Sequence, residues 1–422
     1  MPSVKAASEG SNAMFVRGGS ADQNLYLLNN ISLYGSTHLF GLLSTFNSDI
    51  VDKATLLKGG FPASVGGRLS SVLDVRTKTG NLQHWQIRGA LGILSSKLTI
   101  EAPIIKDKLS VVLAARRSYW DIFIKQNTNP EQVNKIPKYY FYDLNTKIYF
   151  KANHKNVFAI FAYTDQDKMY SNEIEGTNMV DNQLFWRNNL LGLSWEKFVN
   201  PNLSFSSNLN YSGYDMNVNT KKIESQSRSE NDFTTSIQDL SVQSVVSYQN
   251  NNDLFKSGIL LSRKTYNPST IKYSIDSSFV KLSNFNTTTL YELSLFGEYT
   301  HSWSKSLKTN LGLRLNLYQT NEKKYFLPEP RLQFNYTANA NVSFKGSYSR
   351  MNQSVHLLTN PGLGIPLDLW VPSTAKIRPQ SADQFKLGTF YSPKLNKSLF
   401  FSVEGYYKCY IQVINATFWL NI

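Results

Sequence analysis

From residue 84 onward the chain alternates apolar and polar residues, and the alternation breaks at intervals into short polar clusters. A period of two marks a strand whose two faces meet different surroundings. Leu311, Leu313, Leu315 and Leu317 fall on one face of such a segment, and Gly312, Arg314, Asn316 and Tyr318 on the other. In 293–303 one face carries Leu293, Leu295, Gly297, Tyr299, His301 and Trp303, the other Ser294, Phe296, Glu298, Thr300 and Ser302. The same alternation recurs at 191–196 and 401–408. It predicts fifteen strands, at 84–93, 95–104, 109–117, 138–151, 157–165, 183–198, 203–214, 233–248, 254–265, 290–303, 307–320, 330–336, 342–350, 382–391 and 399–408. Most exceed the roughly five or six residues of an ordinary strand. They suffice for the roughly 9–11 needed to cross a bilayer at a tilt.

The predicted connections alternate in length. Short ones fall at 105–108, 152–156, 199–202, 249–253, 304–306, 337–341 and 392–398, and long ones at 118–137, 166–182, 215–232, 266–289, 321–329 and 351–381. Tight turns at one end and long loops at the other are the rhythm of an outer-membrane barrel. Only a sheet whose backbone groups all pair can stand in lipid. Aromatic residues near strand ends predict girdles: Trp85, Tyr119, Trp120, Tyr139, Tyr140, Trp186, Trp195, Tyr211, Tyr214, Tyr406 and Tyr407.

Residues 1–80 have another texture. Strands are expected at 24–28, 53–57 and 72–77, with a tight turn at Asn29-Asn30, where Asn tolerates positive φ. A short helix is expected at 38–45, and Ser48 reads as an N-cap with Asp49 in the first turn. Gly59-Gly60 and Gly66-Gly67 punctuate a turn. The result is a small α/β unit, too small to bury much core alone. The boundary is placed at Thr79-Gly80-Asn81, dividing the chain into 1–80 and 81–422.

Composition narrows the function. No run of 18 apolar residues offers a membrane helix. A single cysteine, Cys409, excludes a disulfide framework and paired-thiolate zinc. His38, His84, His154, His301 and His356 are scattered without ligand spacing, so they read as polar surface or lumen residues and no metal is expected. The glycine pairs lack a following GK[ST], Gly362 and Gly364 lie in a proline-bearing connection, and no GxSxG occurs. Neither an enzyme nor a cofactor is expected. The net charge of +14 is dispersed, with Lys106, Lys108, Lys155, Lys305, Lys394 and Lys397 on short turns. This fits a solvated rim better than nucleic acid; a basic lumen favouring anionic ligands is the alternative.

Several motifs together carry a resemblance. They are Phe15-Val-Arg-Gly-Gly, Asp22-Gln-Asn-Leu, Lys58-Gly-Gly-Phe-Pro-Ala and Gly66-Gly-Arg-Leu-Ser-Ser-Val-Leu-Asp-Val-Arg-Thr, followed by Leu94-Ser-Ser-Lys-Leu-Thr-Ile-Glu-Ala-Pro-Ile, Pro330-Arg-Leu, Tyr348-Ser-Arg-Met-Asn-Gln and Leu369-Trp-Val-Pro-Ser-Thr. This chain strongly resembles the TonB-dependent outer-membrane receptors over nearly its whole length, from the second half of the plug domain into the barrel. Asn29-Asn30 stands where that family usually has Asp-Gly.

The resemblance implies a mainly β fold: an incomplete antiparallel transmembrane β-barrel, about 15 of 22 strands, with a small α/β plug remnant. It implies import of a scarce ligand across the Gram-negative outer membrane, with a siderophore, vitamin chelate or nutrient oligomer as cargo. The TonB complex would act through a box absent from this chain. The alternatives are a non-transporting surface-binding or adhesion barrel, or an inactive truncated product. Residues 1–10 show no signal peptide, so the chain is expected to be an internal or truncated piece. The plug motif maps to Arg17, Gly18, Gly19, Asp22, Gly59, Gly60, Gly66, Gly67 and Arg68. Plug docking is expected through Glu298 and Glu404 pairing with Arg17 and Arg68, with Glu101 and Glu196 as competitors. The sheet is expected to be curled but not closed, because its strand count is odd.

Overall fold

The computed structural model describes residues 4–6, 14–38, 41, 43–127, 136–175, 177–224, 227–275, 278–284, 287–358, 369–393 and 399–411. Gly362, Gly364, Lys394 and Lys397 lie outside them.

The N-terminal segment builds β1 (Val4–Ala6), β2 (Met14–Val16), β3 (Asn24–Leu28), β4 (Ile31–Ser32), β5 (Thr37–His38), β6 (Leu43–Ser44), β7 (Val51–Leu57) and β8 (Ser71–Thr77). A four-stranded sheet runs β4-β3-β8-β7, with β3 and β8 parallel and the other pairs antiparallel. Asn29 and Asn30 turn β3 into β4 with φ of 51° and 69°. Asn29 ties that turn to β8, its Nδ2 donating to Thr77 Oγ1 at 2.8 Å and its Oδ1 accepting from Thr77 N at 3.0 Å. The helix expected at 38–45 does not form: β5 and β6 pair as a two-stranded hairpin, His38 opposite Leu43. Gly41, the described residue between the two strands, is in 3-10 conformation at φ +110°, and wall contacts hold His38. Ser48 caps no helix, because 48–50 is a turn in which Asn47 Oδ1 accepts from Asp49 N at 3.1 Å. Among the described residues of 1–80 the helical content is 3-10 only, at Ala21–Gln23 and Gly41, so the unit is built mainly on its small β sheet.

The rest forms β9 (Gln86–Leu91), β10 (Ser95–Ile105), β11 (Leu109–Ser118), helix α1 (Trp120–Asn127), β12 (Lys138–Lys151), β13 (Asn156–Glu175), β14 (Asn178–Asn200), β15 (Leu203–Glu224), β16 (Ser227–Gln249), β17 (Asp253–Ile275), β18 (Ser278–Asn284), β19 (Thr288–Ser302), β20 (Leu307–Gln319), β21 (Lys324–Thr337), β22 (Val342–Gln353), β23 (Val355–Leu358), β24 (Leu369–Pro372), β25 (Gln380–Tyr391) and β26 (Phe401–Ile411). Every neighbour pair is antiparallel along the path β9 to β17, β19 to β22, β25, β26, which passes through fifteen strands, while β18 extends β17. Among the described residues β9 and β26 are the two edges.

Short turns are closed by side chains that imitate a backbone turn. Asn153, Asn200, Ser304 and Asn339 each accept two backbone N–H bonds from residues two and three positions on, at 2.8–3.1 Å. At the other end the expected long loops are mostly strand. β13 to β17 run 20 to 23 residues and carry the ladder through most of 166–182, 215–232 and 266–289. Those stretches lack an apolar face and so read as loops. Once two antiparallel neighbours are aligned, each further residue extends the ladder with no new loop to close. The expected loop 321–329 is a turn over 320–323 followed by β21. Pro328 and Pro330 fit within β21 because it pairs with β22 only from Arg331 onward, so on that side the prolines need no N–H.

Burial is inverted relative to a soluble protein. Leu113, Leu144, Leu191, Leu240, Leu261, Leu295, Leu313 and Leu387 are exposed on the outer face. Asp143, Asp165, Asp239, Glu292, Arg314, Glu329 and Arg331 are buried inside. Outside, near the short turns, Phe150, Phe158 and Trp195 stack in succession at 6.2–6.4 Å and Phe205 meets Trp195 edge-on at 5.4 Å, forming a girdle. Tyr139, Trp186 and Tyr214 do not join it. They point inward, into a cluster with Phe141, Tyr266, Tyr318 and Trp370.

Candidate functional site

The N-terminal sheet and the wall meet at residues 58–67, between β7 and β8. Wall side chains on five strands take hold of this loop through its backbone. Gln384 Nε2 donates to Lys58 O at 3.3 Å, Gln333 Nε2 to Phe61 O at 3.4 Å, and Gln243 Nε2 to Ser64 O at 3.1 Å. Arg331 donates to Pro62 O. Arg314 Nη1 reaches Ala63 O and Ser64 O, both at 3.4 Å. Glu298 Oε2 accepts from Ala63 N at 3.0 Å. Each of these side chains is on the inward face of its strand, as a period of two requires.

The glycines let the loop lie this close. A Cβ at Gly66 would stand 2.6 Å from Arg314 Nε. Gly60 and Gly67 have φ of +64° and +87°, where a side chain is strained. Gly59, at φ +142°, faces Arg17, and Gly18, at φ +71°, has open space. Gly19 packs on Ser70, and Asp22 Oδ2 accepts from Gln353 Nε2 at 2.9 Å.

Arg17 and Glu404 meet. Arg17 Nη2 stands 3.0 Å from Glu404 Oε2, its Nη1 donates to Lys58 O, and its guanidinium lies over the Tyr406 ring. Lys386 shares Glu404 at 2.7 Å. Glu298 and Arg68 do not pair. Glu298 is spent on the Ala63 N–H, with Lys256 at 3.8 Å. Of the competitors, Glu101 pairs with Arg88, and Glu196 lies exposed.

Two wall clusters escaped sequence reasoning. Glu292 takes Lys264 at 2.7 Å and Arg314 at 3.3 Å, and Arg331 pairs with Glu329, which also accepts from Asn352 N at 2.8 Å. Alternation had placed Arg314 opposite Leu311 and Leu313, which was the available signal. His38, read as an ordinary polar residue, is fully buried at the wall. Its Nδ1 stands 2.6 Å from Asp167 Oδ2 and its Nε2 3.7 Å from Asp143, and the ring stacks on Phe141 at 4.2 Å. Arg116 Nε donates to Asp143 at 2.5 Å, and Tyr139 to Asp167. Burial works against a charged imidazole, but the two carboxylates outweigh it and raise the His38 pKa to about 9.

No family model matches the sequence, and no curated protein does. Solved structures do match. The ferric enterobactin receptor PfeA of Pseudomonas aeruginosa superposes with a TM-score of 0.66 at 12% identity, over 97% of this chain and 67% of the receptor. The siderophore receptor PirA of Acinetobacter baumannii gives 0.65 at 12% identity, over 97% and 67%. The copper transporter OprC gives 0.66 at 13% identity, over 93% and 65%. The chain thus has the fold of the TonB-dependent outer-membrane receptor barrels and spans about two thirds of the length of these three.

Proposed function

We propose that this chain is the plug-bearing part of an outer-membrane receptor that imports a scarce ligand, with TonB as its energy-transducing partner and a Gram-negative outer membrane as its location. In this reading residues 1–80 are plug and 81–422 wall. The similarity to receptors and transporters for iron chelates and copper favours a metal chelate or another scarce nutrient as cargo. The observation that carries the proposal is the grip on residues 58–64. A plug held through side-chain bonds to its backbone is secure at rest. Each bond contributes only about 1 kcal/mol, so a pulling force can break them in turn.

The test is a reversible tether. A Cβ on Gly312 would lie 3.2 Å from Ala63 Cβ, close to disulfide spacing after a small adjustment. The single native thiol, Cys409, is exposed on β26. In cells expressing the protein, uptake of ferric siderophores, cobalamin, copper and oligosaccharides is screened, and the protonophore-sensitive substrate is taken forward. Oxidation of the Ala63→Cys/Gly312→Cys variant is expected to stop its uptake, and reductant to restore it. The absence of any protonophore-sensitive uptake, or uptake indifferent to the tether, would overturn the proposal.

A further inference from the structure

Arg68 is the one plug arginine of the motif without a counter-charge. It is 8% exposed, and its Nη1 donates only to its neighbour Gly67 O at 3.0 Å. Its Nε has no partner, and among the described residues no carboxylate comes within ion-pair distance. The other cations of this lumenal layer are paired: Lys264 and Arg314 with Glu292, Arg331 with Glu329. Asp239, also near, accepts from Ser262 at 2.8 Å and Tyr34 at 3.3 Å. Three cations, Arg68, Lys264 and Arg314, thus face two carboxylates, Asp239 and Glu292, and one positive charge is left over. A buried cation in that position is costly unless something compensates it.

The surroundings supply donors rather than a counter-charge. The Arg68 guanidinium lies 5.2 Å from the Trp370 ring, which packs in one buried cluster with Tyr266 and Tyr318. Tyr266 and Tyr318 are fully buried, and both hydroxyls lack a hydrogen-bond partner. So does His356 Nδ1, while its Nε2 is 3.0 Å from Ser373 Oγ. Trp370 and His356 come from the paired strands β23 and β24, which join the inward aromatic cluster and pack against β16, β17 and the 3-10 turn Ala21–Gln23. Buried polar groups are nearly always satisfied. Here the guanidinium Nε and two phenols stay unsatisfied together, where the motif loop meets the aromatic cluster.

We propose that Arg68, Tyr266 and Tyr318 form an oxyanion site that takes a carboxylate or phosphate group of the ligand, reached when Trp370 moves off the guanidinium. The planar fork of an arginine suits two oxygens of such a group, and each phenol O–H adds one donor. The inference rests on the receptor reading and names the chemistry of its cargo.

The test uses the purified protein in detergent, titrated with citrate, with inorganic phosphate and with neutral glucose, read by calorimetry. Citrate or phosphate is expected to bind and glucose not to; whichever oxyanion binds tighter identifies the group. Arg68→Gln and the double variant Tyr266→Phe/Tyr318→Phe are each expected to weaken that binding at least tenfold. Arg187→Gln, which removes a half-exposed wall arginine already paired with Asp215 at 3.1 Å, is expected to leave it within twofold. The double phenylalanine variant keeps ring packing, so it remains informative if Arg68→Gln fails to fold. No oxyanion binding, or equal binding in the Tyr266→Phe/Tyr318→Phe variant, would overturn the site. Uptake that survives while Arg68→Gln binds normally removes the site and leaves the receptor reading. Oxyanion binding that needs Arg68 in a protein without energised uptake removes the receptor reading and leaves the site.

Discussion

Gly66→Ala gives the sharpest test of how the plug loop is held. Its added methyl would meet Arg314 Nε at 2.6 Å and the Cδ and Cζ atoms at 3.1 Å. Arginine tips often yield, but this one cannot do so cheaply. It is 1% exposed, its Nε donates to Asn316 at 2.8 Å, and its Nη2 lies 3.3 Å from Glu292. Displacing it would also break the bonds to Ala63 O and Ser64 O. Overpacking of this kind costs roughly 1–3 kcal/mol. The assay is a double-mutant cycle on denaturant unfolding in detergent, with hydrogen exchange of 58–67 read alongside. Gly66→Ala should lower stability and deprotect the loop. In an Arg314→Gln background, where the shorter side chain vacates the space, most of that cost should vanish, so the coupling energy should approach the single-mutant cost. An equal cost in both backgrounds would refute the contact argument and leave backbone conformation as the cause.

The His38 latch should make docking pH-dependent. Its pKa rises from 6.5 to about 9 on folding, so the contribution is full below pH 6.5 and fades as pH rises through about 9. The total is of order 3 kcal/mol at most, and unfolding curves from pH 6 to 10 should show the loss in native protein but not in His38→Phe. Arg17→Gln should weaken docking by about 1 kcal/mol, since Glu404 is partly exposed and keeps Lys386; the effect should shrink as salt rises in the same unfolding assay. Asn29→Ala should cost about 1–2 kcal/mol, because φ of 51° disfavours a methyl side chain and two bonds to Thr77 are lost, whereas Asn29→Gly should recover the conformational part.

Strand count, order and facing were legible in the sequence because a period of two states them locally: Leu311 and Leu313 outward fixes Arg314 inward, whatever Arg314 then touches. The Asn29-Asn30 turn and the glycine-dense loop were legible for the same reason, since positive φ restricts the residue type at the site itself. The partners were not. Arg17 reaches Glu404 across 387 residues, while Arg68, expected to have the same kind of partner, has none among the described residues. His38 looked like one polar residue among five and is buried between two wall carboxylates. The polar segments of β13 to β17 looked like loops because neither face is apolar, yet a neighbouring strand already in register keeps them extended. An alternation of faces is written into consecutive residues. Which inward side chain meets which plug atom depends on how the sheet curls around the loop, and only the assembled wall decides that.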